Sequence, residues 1–172
     1  PIISYSSLSK AYLAPGWRGG WMAVGRTPRL DDVLAAIKKL ADGRLCSPGP
    51  MQYAVEAALR GDRSHQASFV RELRLRADLT VSRLSQSPDL RVVAPQAAFY
   101  VMPQVLLPPG RTDEDFVLGL LRETGILCVY GSGFGTPADQ GFFRVVYLAS
   151  PDELSAIYDD LIRYARHFVS AH

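Results

Sequence analysis

Several things are scarce in this chain of 172 residues. Cysteine appears twice, as Cys46 and Cys128, far apart and with no metal-ligand spacing, and the three histidines, His65, His167 and His172, are scattered. Neither a disulfide framework, a metal site nor a catalytic triad follows from them, and a reducing, cytoplasmic compartment is expected. A strong excess of either charge is also missing. Nineteen Lys+Arg stand against 17 Asp+Glu, a net charge of +2, too weak to indicate nucleic-acid or membrane-surface binding. No apolar run approaches the roughly 20 residues that a bilayer crossing needs, so neither a nucleic acid nor a membrane is an expected partner. What is present is apolar: 48% hydrophobic against 21% charged residues is a globular balance, and the length suits one domain, or one and a fraction. The chain opens at Pro1 without methionine and runs straight into Ile2-Ile3-Ser4-Tyr5, which reads as the end of a strand. A piece of a longer polypeptide is the expectation.

Along the chain, the first 26 residues read as strand and glycine-rich loop, with Trp21–Val24 a short buried strand. A helix is expected from Leu30 to Asp42, with Asp31 and Asp32 at its positive end, Lys38 and Lys39 near the other, and Gly43 as its stop. Cys46–Pro50 reads as a loop and Met51–Arg60 as a second helix ended by Gly61. From Ser64 to about Ser87 one long helical pattern places Phe69, Val70, Leu73, Ala77 and Leu84 on or near one face, closed by Pro88. It reads as a connector, and its arginines 71, 74, 76 and 83 as a solvated face beside Glu72 and Asp78. Beyond it strands and helices alternate. Leu90–Val93 and Ala97–Met102 read as strands around a turn at Pro95. Thr112, with Asp115 three residues later, opens a helix that Gly125 ends. Ile126–Tyr130 and Phe142–Leu148 read as strands, and Ser150-Pro151-Asp152-Glu153 as a capping box that starts the last helix.

Chemistry can be sought in two places. Ser7-Leu8-Ser9-Lys10 has the spacing of a serine nucleophile and lysine base, but the Ser-Asp-Asn and Lys-Thr-Gly elements that such chemistry needs are absent. Lys10 can instead be the covalent partner of a carbonyl cofactor, which requires a neutral amine and therefore burial or neighbouring cations. Ile2, Ile3, Tyr12, Trp17 and Trp21 surround it in sequence, and Arg18 lies eight residues on in a glycine-rich stretch, next to hydroxyls suited to a phosphate. The second place is Arg144, within Phe142-Phe143-Arg144-Val145-Val146-Tyr147-Leu148, a run apolar on both faces. A buried guanidinium needs a carboxylate. Asp139 or Asp152 can fold back to it, or the partner is an external anion. The run Gly131-Ser132-Gly133-Phe134-Gly135 lacks the third glycine of a dinucleotide fingerprint.

Ser7-Leu8-Ser9-Lys10-Ala11-Tyr12 followed by Pro15-Gly16-Trp17-Arg18-Gly19-Gly20-Trp21 resembles the class I/II aminotransferases, the fold-type I enzymes that use pyridoxal 5′-phosphate (PLP), and within them the alanine- and aspartate-type branch. Pro50-Met51-Gln52-Tyr53-Ala54, Ala97-Ala98-Phe99-Tyr100, the loop from Tyr130 to Gly135 and Phe143-Arg144-Val145-Val146 follow in the family's order. The resemblance implies an α/β fold: residues 1–62 as the end of a large, mainly parallel-sheet PLP-binding domain, and residues 63–172 as a connecting long helix and a small α+β domain. It implies that Lys10 is catalytic and bonds the PLP aldehyde, that Ser7 and Arg18 bind its phosphate, and that Arg144 holds the substrate α-carboxylate. An amino acid and a 2-oxo acid are the implied substrates, and a homodimer the implied assembly. The family's aspartate at the pyridine nitrogen, its ring-stacking aromatic residue and its backbone phosphate cradle lie upstream of the lysine, where this chain has nine residues. The chain by itself is therefore expected to be inactive and, with an apolar sheet edge and helix faces uncovered, to self-associate. A non-catalytic module that retains the motif is the alternative.

Overall fold

The computed structural model describes residues 1–45 and 48–171; Cys46, Ser47 and His172, and with them the start of the expected loop at 46–50, lie outside the described residues. The fold is mixed α/β, in two compact units, Pro1–Ser68 and Phe69–His172.

In the first unit strand β1 (Ile3–Ser7) pairs antiparallel with β2 (Gly20–Val24), Ile3 opposite Val24 and Ser7 opposite Gly20. Helices α1 (Asp31–Gly43) and α2 (Gly49–Arg60) follow, and α3 (Ser64–Leu84) begins in this unit and continues into the next. The acids Asp31 and Asp32 occupy the first turn of α1, as the helix dipole favours. Neither α1 nor α2 buries a residue, and Leu8 and Leu30 are the buried apolar side chains among the described residues of this unit. The strand expected to be buried at Trp21–Val24 is only half-buried, because among the described residues it pairs with β1 alone and Tyr5 on that partner is itself exposed.

The second unit has a contiguous core. Strands β3 (Leu90–Arg91) and β5 (Gln104–Val105) pair antiparallel. Strands β4 (Tyr100–Val101), β7 (Phe143–Val146) and β6 (Val129–Tyr130) form a second antiparallel sheet with β7 in the middle. Against them pack the far part of α3, α4 (Asp113–Thr124) and α5 (Pro151–Ser170). Phe116 is the hub, its ring 5.0 Å from Phe143 and 5.4 Å from both Tyr164 and Phe168. The Thr80 hydroxyl, fully buried in the core, is satisfied: Thr80 donates to the Arg76 carbonyl at 2.7 Å, so Tyr158 donates to Thr80 at 2.8 Å. Burial pushes the Tyr158 phenol and the free Cys128 thiol each up to about 12.

Several expectations need correction here. The segments around Pro95 do not form one hairpin: β3 pairs with β5 and β4 with β7. Pro95 offers no N–H and Ala98 adopts a left-handed backbone (φ 66°), so residues 92–99 run without regular structure. The strand expected at Ile126–Tyr130 is reduced to its last two residues, with Leu127 exposed. In α3, Val70 faces solvent while Ala77, Thr80 and Leu84 are buried. Its arginines are tied locally: Arg74 lies 3.9 Å from Asp78, Arg76 lies 3.4 Å from Glu72 and donates to the Leu148 carbonyl, and Arg83 pairs with Asp159.

The helix boundaries follow the expected chemistry. Thr112 and Asp115 form a reciprocal capping box on α4, and Gly125 ends it with a left-handed φ of 75°. Ser150 and Glu153 do the same for α5, with Pro151 in its first turn. Hydrogen bonds from the Thr112 backbone and hydroxyl hold Asp115 below the usual carboxylate range, and bonds from the Ser150 hydroxyl and backbone do the same for Glu153. A depressed carboxyl adds stability above its unfolded pKa that disappears as pH falls through the folded one. Both groups are exposed and screened by solvent, so the effect is modest. The thermal midpoint of the chain should therefore decline below about pH 4, and the double variant Asp115→Asn/Glu153→Gln should show a shallower decline. Identical slopes would remove the caps from the acid sensitivity.

Candidate active site

Ser7, Lys10 and Arg18 are brought to one end of the β1–β2 pair. Ser7 is the last residue of β1, opposite Gly20, and the chain between them is closed by a bond of 2.9 Å from the Leu8 N–H to the Gly19 carbonyl. Leu8, 1% exposed, anchors this closure. Inside it the Leu13 N–H donates to the Lys10 carbonyl and the Ala14 N–H to the Leu8 carbonyl, while Gln66 of α3 donates to the Ala11 carbonyl at 2.8 Å. The loop is thus fixed by its own backbone, with Lys10 at its turn.

Two residues of this loop carry backbone strain. Leu13 (φ 56°) and Arg18 (φ 54°) lie in the left-handed region without being glycine, at a cost of about 1 kcal/mol or more each. Strain of this kind persists where the surroundings dictate it, and it clusters at functional sites. The Arg18 guanidinium is steadied by a 2.9 Å bond to the Pro15 carbonyl. The Ser7 hydroxyl accepts from the Ser9 N–H at 3.3 Å. A hydroxyl, an amine and a guanidinium carried by the end of β1 and the loop to β2 are a donor set whose chemistry fits a phosphate-bearing carbonyl compound such as PLP.

The apolar enclosure expected around Lys10 is not supplied by these residues. Lys10 is exposed, as are Ile2 (74%) and Trp17 (52%). The two helices of this unit bury no residue, and Lys10 stays on the exposed side of the loop.

Arg144 sits in the second unit on β7, and the alternation of that strand decides its environment. Phe143, Val145 and Tyr147 are buried in the core, whereas Arg144 and Val146 lie on the opposite face, Val146 being 44% exposed. The run read as apolar on both faces is therefore buried on one. Neither Asp139 nor Asp152 pairs with Arg144, which makes no ion pair among the described residues. Its guanidinium lies over two aromatic rings instead, 4.6 Å from the centroid of Phe134 and 5.4 Å from that of Tyr100. Its Nε is buried and has no hydrogen-bond partner.

Tyr100 and Phe134 were not singled out as site residues by sequence reasoning, although both fall within the quoted motifs. Phe134 is carried by a 3₁₀ turn, Gly131–Phe134, that lies against β7. The Gly131 N–H donates to the Phe142 carbonyl at 2.7 Å, and a Cβ at Gly131 would come within 2.6 Å of the Phe142 Cβ and the Thr136 Oγ1. Only glycine allows this approach. Among the described residues no group of three His, Cys, Asp or Glu side chains could hold a metal, and no helix is long and apolar enough to cross a membrane.

This architecture is shared with aminotransferases of fold type I. An alanine aminotransferase from Pyrococcus furiosus superposes with a TM-score of 0.90 at 35% identity, over 96% of this chain and 42% of that one. The family model described as aminotransferase class I and II matches residues 1–159, and the chain belongs to that family, whose members depend on PLP. It is 42% identical to LL-diaminopimelate aminotransferase of Nitratidesulfovibrio vulgaris over 83% of its length and 35% of the relative's. It is 31% identical to alanine aminotransferase 1 of Bos taurus over 97% of its length and 38% of the relative's. The chain thus spans well under half the length of these relatives.

The tight seat of Gly131 is testable. Gly131→Ala should lower the urea midpoint of the chain, followed by far-UV circular dichroism, by an amount equivalent to about 1–3 kcal/mol. An unchanged midpoint would mean that the turn accommodates a methyl group and does not depend on that contact.

Proposed function

We propose that the protein carrying this chain is a PLP-dependent aminotransferase that moves an amino group from an α-amino acid to a 2-oxo acid. Lys10 bonds the cofactor, Ser7 and Arg18 bind its phosphate, and Arg144 receives the substrate α-carboxylate. The observation that carries this reading is the state of Arg144: a guanidinium resting on aromatic rings, with a buried and unpartnered Nε and no carboxylate of the described chain beside it. Such a group is a receptor for an external anion. The printed activities of the relatives, alanine and LL-diaminopimelate aminotransfer, support amino acids as that anion's class.

When bound, PLP supplies the electron sink for charge that develops at the substrate α-carbon. The chain's own residues do the rest. Ser7 and Arg18 hold the phosphate at the closed end of the β1–β2 pair and so fix the position of the reacting carbonyl relative to Lys10. The Lys10 Nζ would take the proton from the substrate α-carbon as general base and, as general acid, deliver it to the carbon that was the cofactor's aldehyde carbon. Arg144 fixes the carboxylate, and with it the orientation of the C–H bond to be broken.

Residues 1–62 belong on this reading to the end of the large PLP-binding domain and residues 63–172 to the connecting helix and small domain; a two-part division is supported by the two compact units, which part a little later, between Ser68 and Phe69. A homodimer is part of the same proposal, supported by the exposed apolar side chains Ile2, Tyr5, Leu13, Trp17, Leu40 and Tyr53 of the first unit. A cytoplasmic location is supported by the free Cys128. The exposure of Lys10 supports inactivity of the 172-residue chain by itself.

In the full protein, Lys10→Ala should abolish transamination and the visible absorbance of the bound cofactor. Arg144→Lys should raise KM for L-alanine or LL-diaminopimelate, whichever is turned over, by roughly 10- to 100-fold, since an ammonium cannot reproduce the guanidinium fork. Turnover in Lys10→Ala, or an unchanged KM in Arg144→Lys, would remove the corresponding assignment.

A further inference from the structure

The acid Asp113 is fully buried at the first position of α4. A buried carboxylate is costly unless its oxygens are well occupied. Helix capping does not account for it, because Thr112 and Asp115 already form the complete capping box of α4. Both of its oxygens are spent on one residue elsewhere: Oδ2 accepts the Ser132 N–H at 2.6 Å and Oδ1 accepts the Ser132 hydroxyl at 3.1 Å. Ser132 is the second residue of the 3₁₀ turn that carries Phe134.

That turn is therefore pinned on two sides. Gly131 is bound to Phe142, next to β7, and Ser132 to Asp113 on α4. Phe134, two residues beyond Ser132, is 51% exposed, and its ring stands over the Arg144 guanidinium at 4.6 Å. An exposed ring with no core packing takes its position from the backbone that carries it. The backbone here takes its position from a buried carboxylate.

We infer that Asp113 is a positioning residue for anion recognition at Arg144: through Ser132 it fixes the turn that holds Phe134 over the guanidinium, and so sets the orientation of the Arg144 fork. The inference rests on the reading of Arg144 as the carboxylate receptor. Removing the Asp113 carboxylate frees the turn, and Arg144 loses the ring that orders its long side chain. The loss appears for ligands that bear a carboxylate and not for those that lack one.

The test uses the full protein with PLP bound and two small probes that displace Lys10 from the cofactor aldehyde. Aminooxyacetate carries a carboxylate and methoxyamine does not, and the loss of visible absorbance gives each second-order rate constant. In the wild type aminooxyacetate should react much faster. Asp113→Ala should reduce that preference by roughly three- to tenfold, with the methoxyamine rate unchanged within twofold, and Asp113→Asn, which retains an acceptor for the Ser132 N–H, should recover most of it. Where Asp113→Ala fails to fold, Phe134→Leu, altered at an exposed position, should show the same selective loss.

Equal slowing of both probes would mean a general structural role and overturn the inference, as would an unchanged preference in Asp113→Ala or in Phe134→Leu. If Arg144→Lys abolishes the preference while Asp113→Ala and Phe134→Leu do not, the positioning role alone falls. A wild type without preference, or an Arg144→Lys variant that retains it, removes the carboxylate reading and the positioning role with it.

Discussion

The period-two alternation of β7 is the constraint on which the second unit depends. Phe143, Val145 and Tyr147 point into a core centred on Phe116 and closed by Leu154, Tyr158 and Leu161 of α5. The same pleat sends Arg144 to the other face. A shift of register by one residue would drive a guanidinium into that core and three large side chains out of it. Burial of the three apolar side chains contributes on the order of 1.5–3 kcal/mol each, so the core enforces the position of the charge. Arg144 is held where it is mainly by its neighbours in sequence.

The first unit works by other means. Around Lys10 there is almost no buried side chain to enforce anything, and the loop is shaped by a closed set of backbone bonds between Leu8 and Gly19, Ala14 and Leu8, and Leu13 and Lys10. Hydrogen bonds of this sort contribute about 1 kcal/mol each. They are opposed by the left-handed conformations at Leu13 and Arg18. A loop so poorly covered and yet strained has no reason of stability to be built that way. It is the loop that carries Lys10 and Arg18, with Ser7 at the end of the strand before it.

Much of this was legible in the sequence because local chemistry decided it. The capping boxes at Thr112–Asp115 and Ser150–Glu153 satisfy backbone donors by contacts three residues apart, and the structure adopts both. The glycine stops after α2 and α4 were equally local. What failed depended on partners distant in sequence. The segment around Pro95 has strand composition on either side, yet its short strands are claimed by β5 and β7, because the cores they cover lie there. The burial expected for Trp21–Val24 required neighbours that the described residues do not supply. Arg144 was read as buried among apolar residues because composition does not say which face of a strand is covered. Tyr100 and Phe134 could not be linked to it by spacing, since one lies on β4 and the other on a turn before β7. Asp113 shares the first turn of α4 with two other acids, and its contact with Ser132, nineteen residues away, is what sets it apart.

The way Arg144 is stabilised bears on what it can do. A carboxylate from within the chain would have given it a partner at the expense of its availability, since breaking a buried pair costs several kcal/mol. The faces of Phe134 and Tyr100 attract the cation through their ring quadrupoles without occupying its N–H donors. The cation is thereby partly shielded from water while its hydrogen-bonding edge stays unspent, as the orphaned Nε records. In so reduced a dielectric a charge-assisted bidentate bond to an incoming carboxylate gains more than it would in water. A lysine at this place would lose the planar contact with the rings and the paired donors together. The aromatic seat and the choice of arginine are thus two halves of one arrangement, and both follow from leaving the charge without a partner of its own.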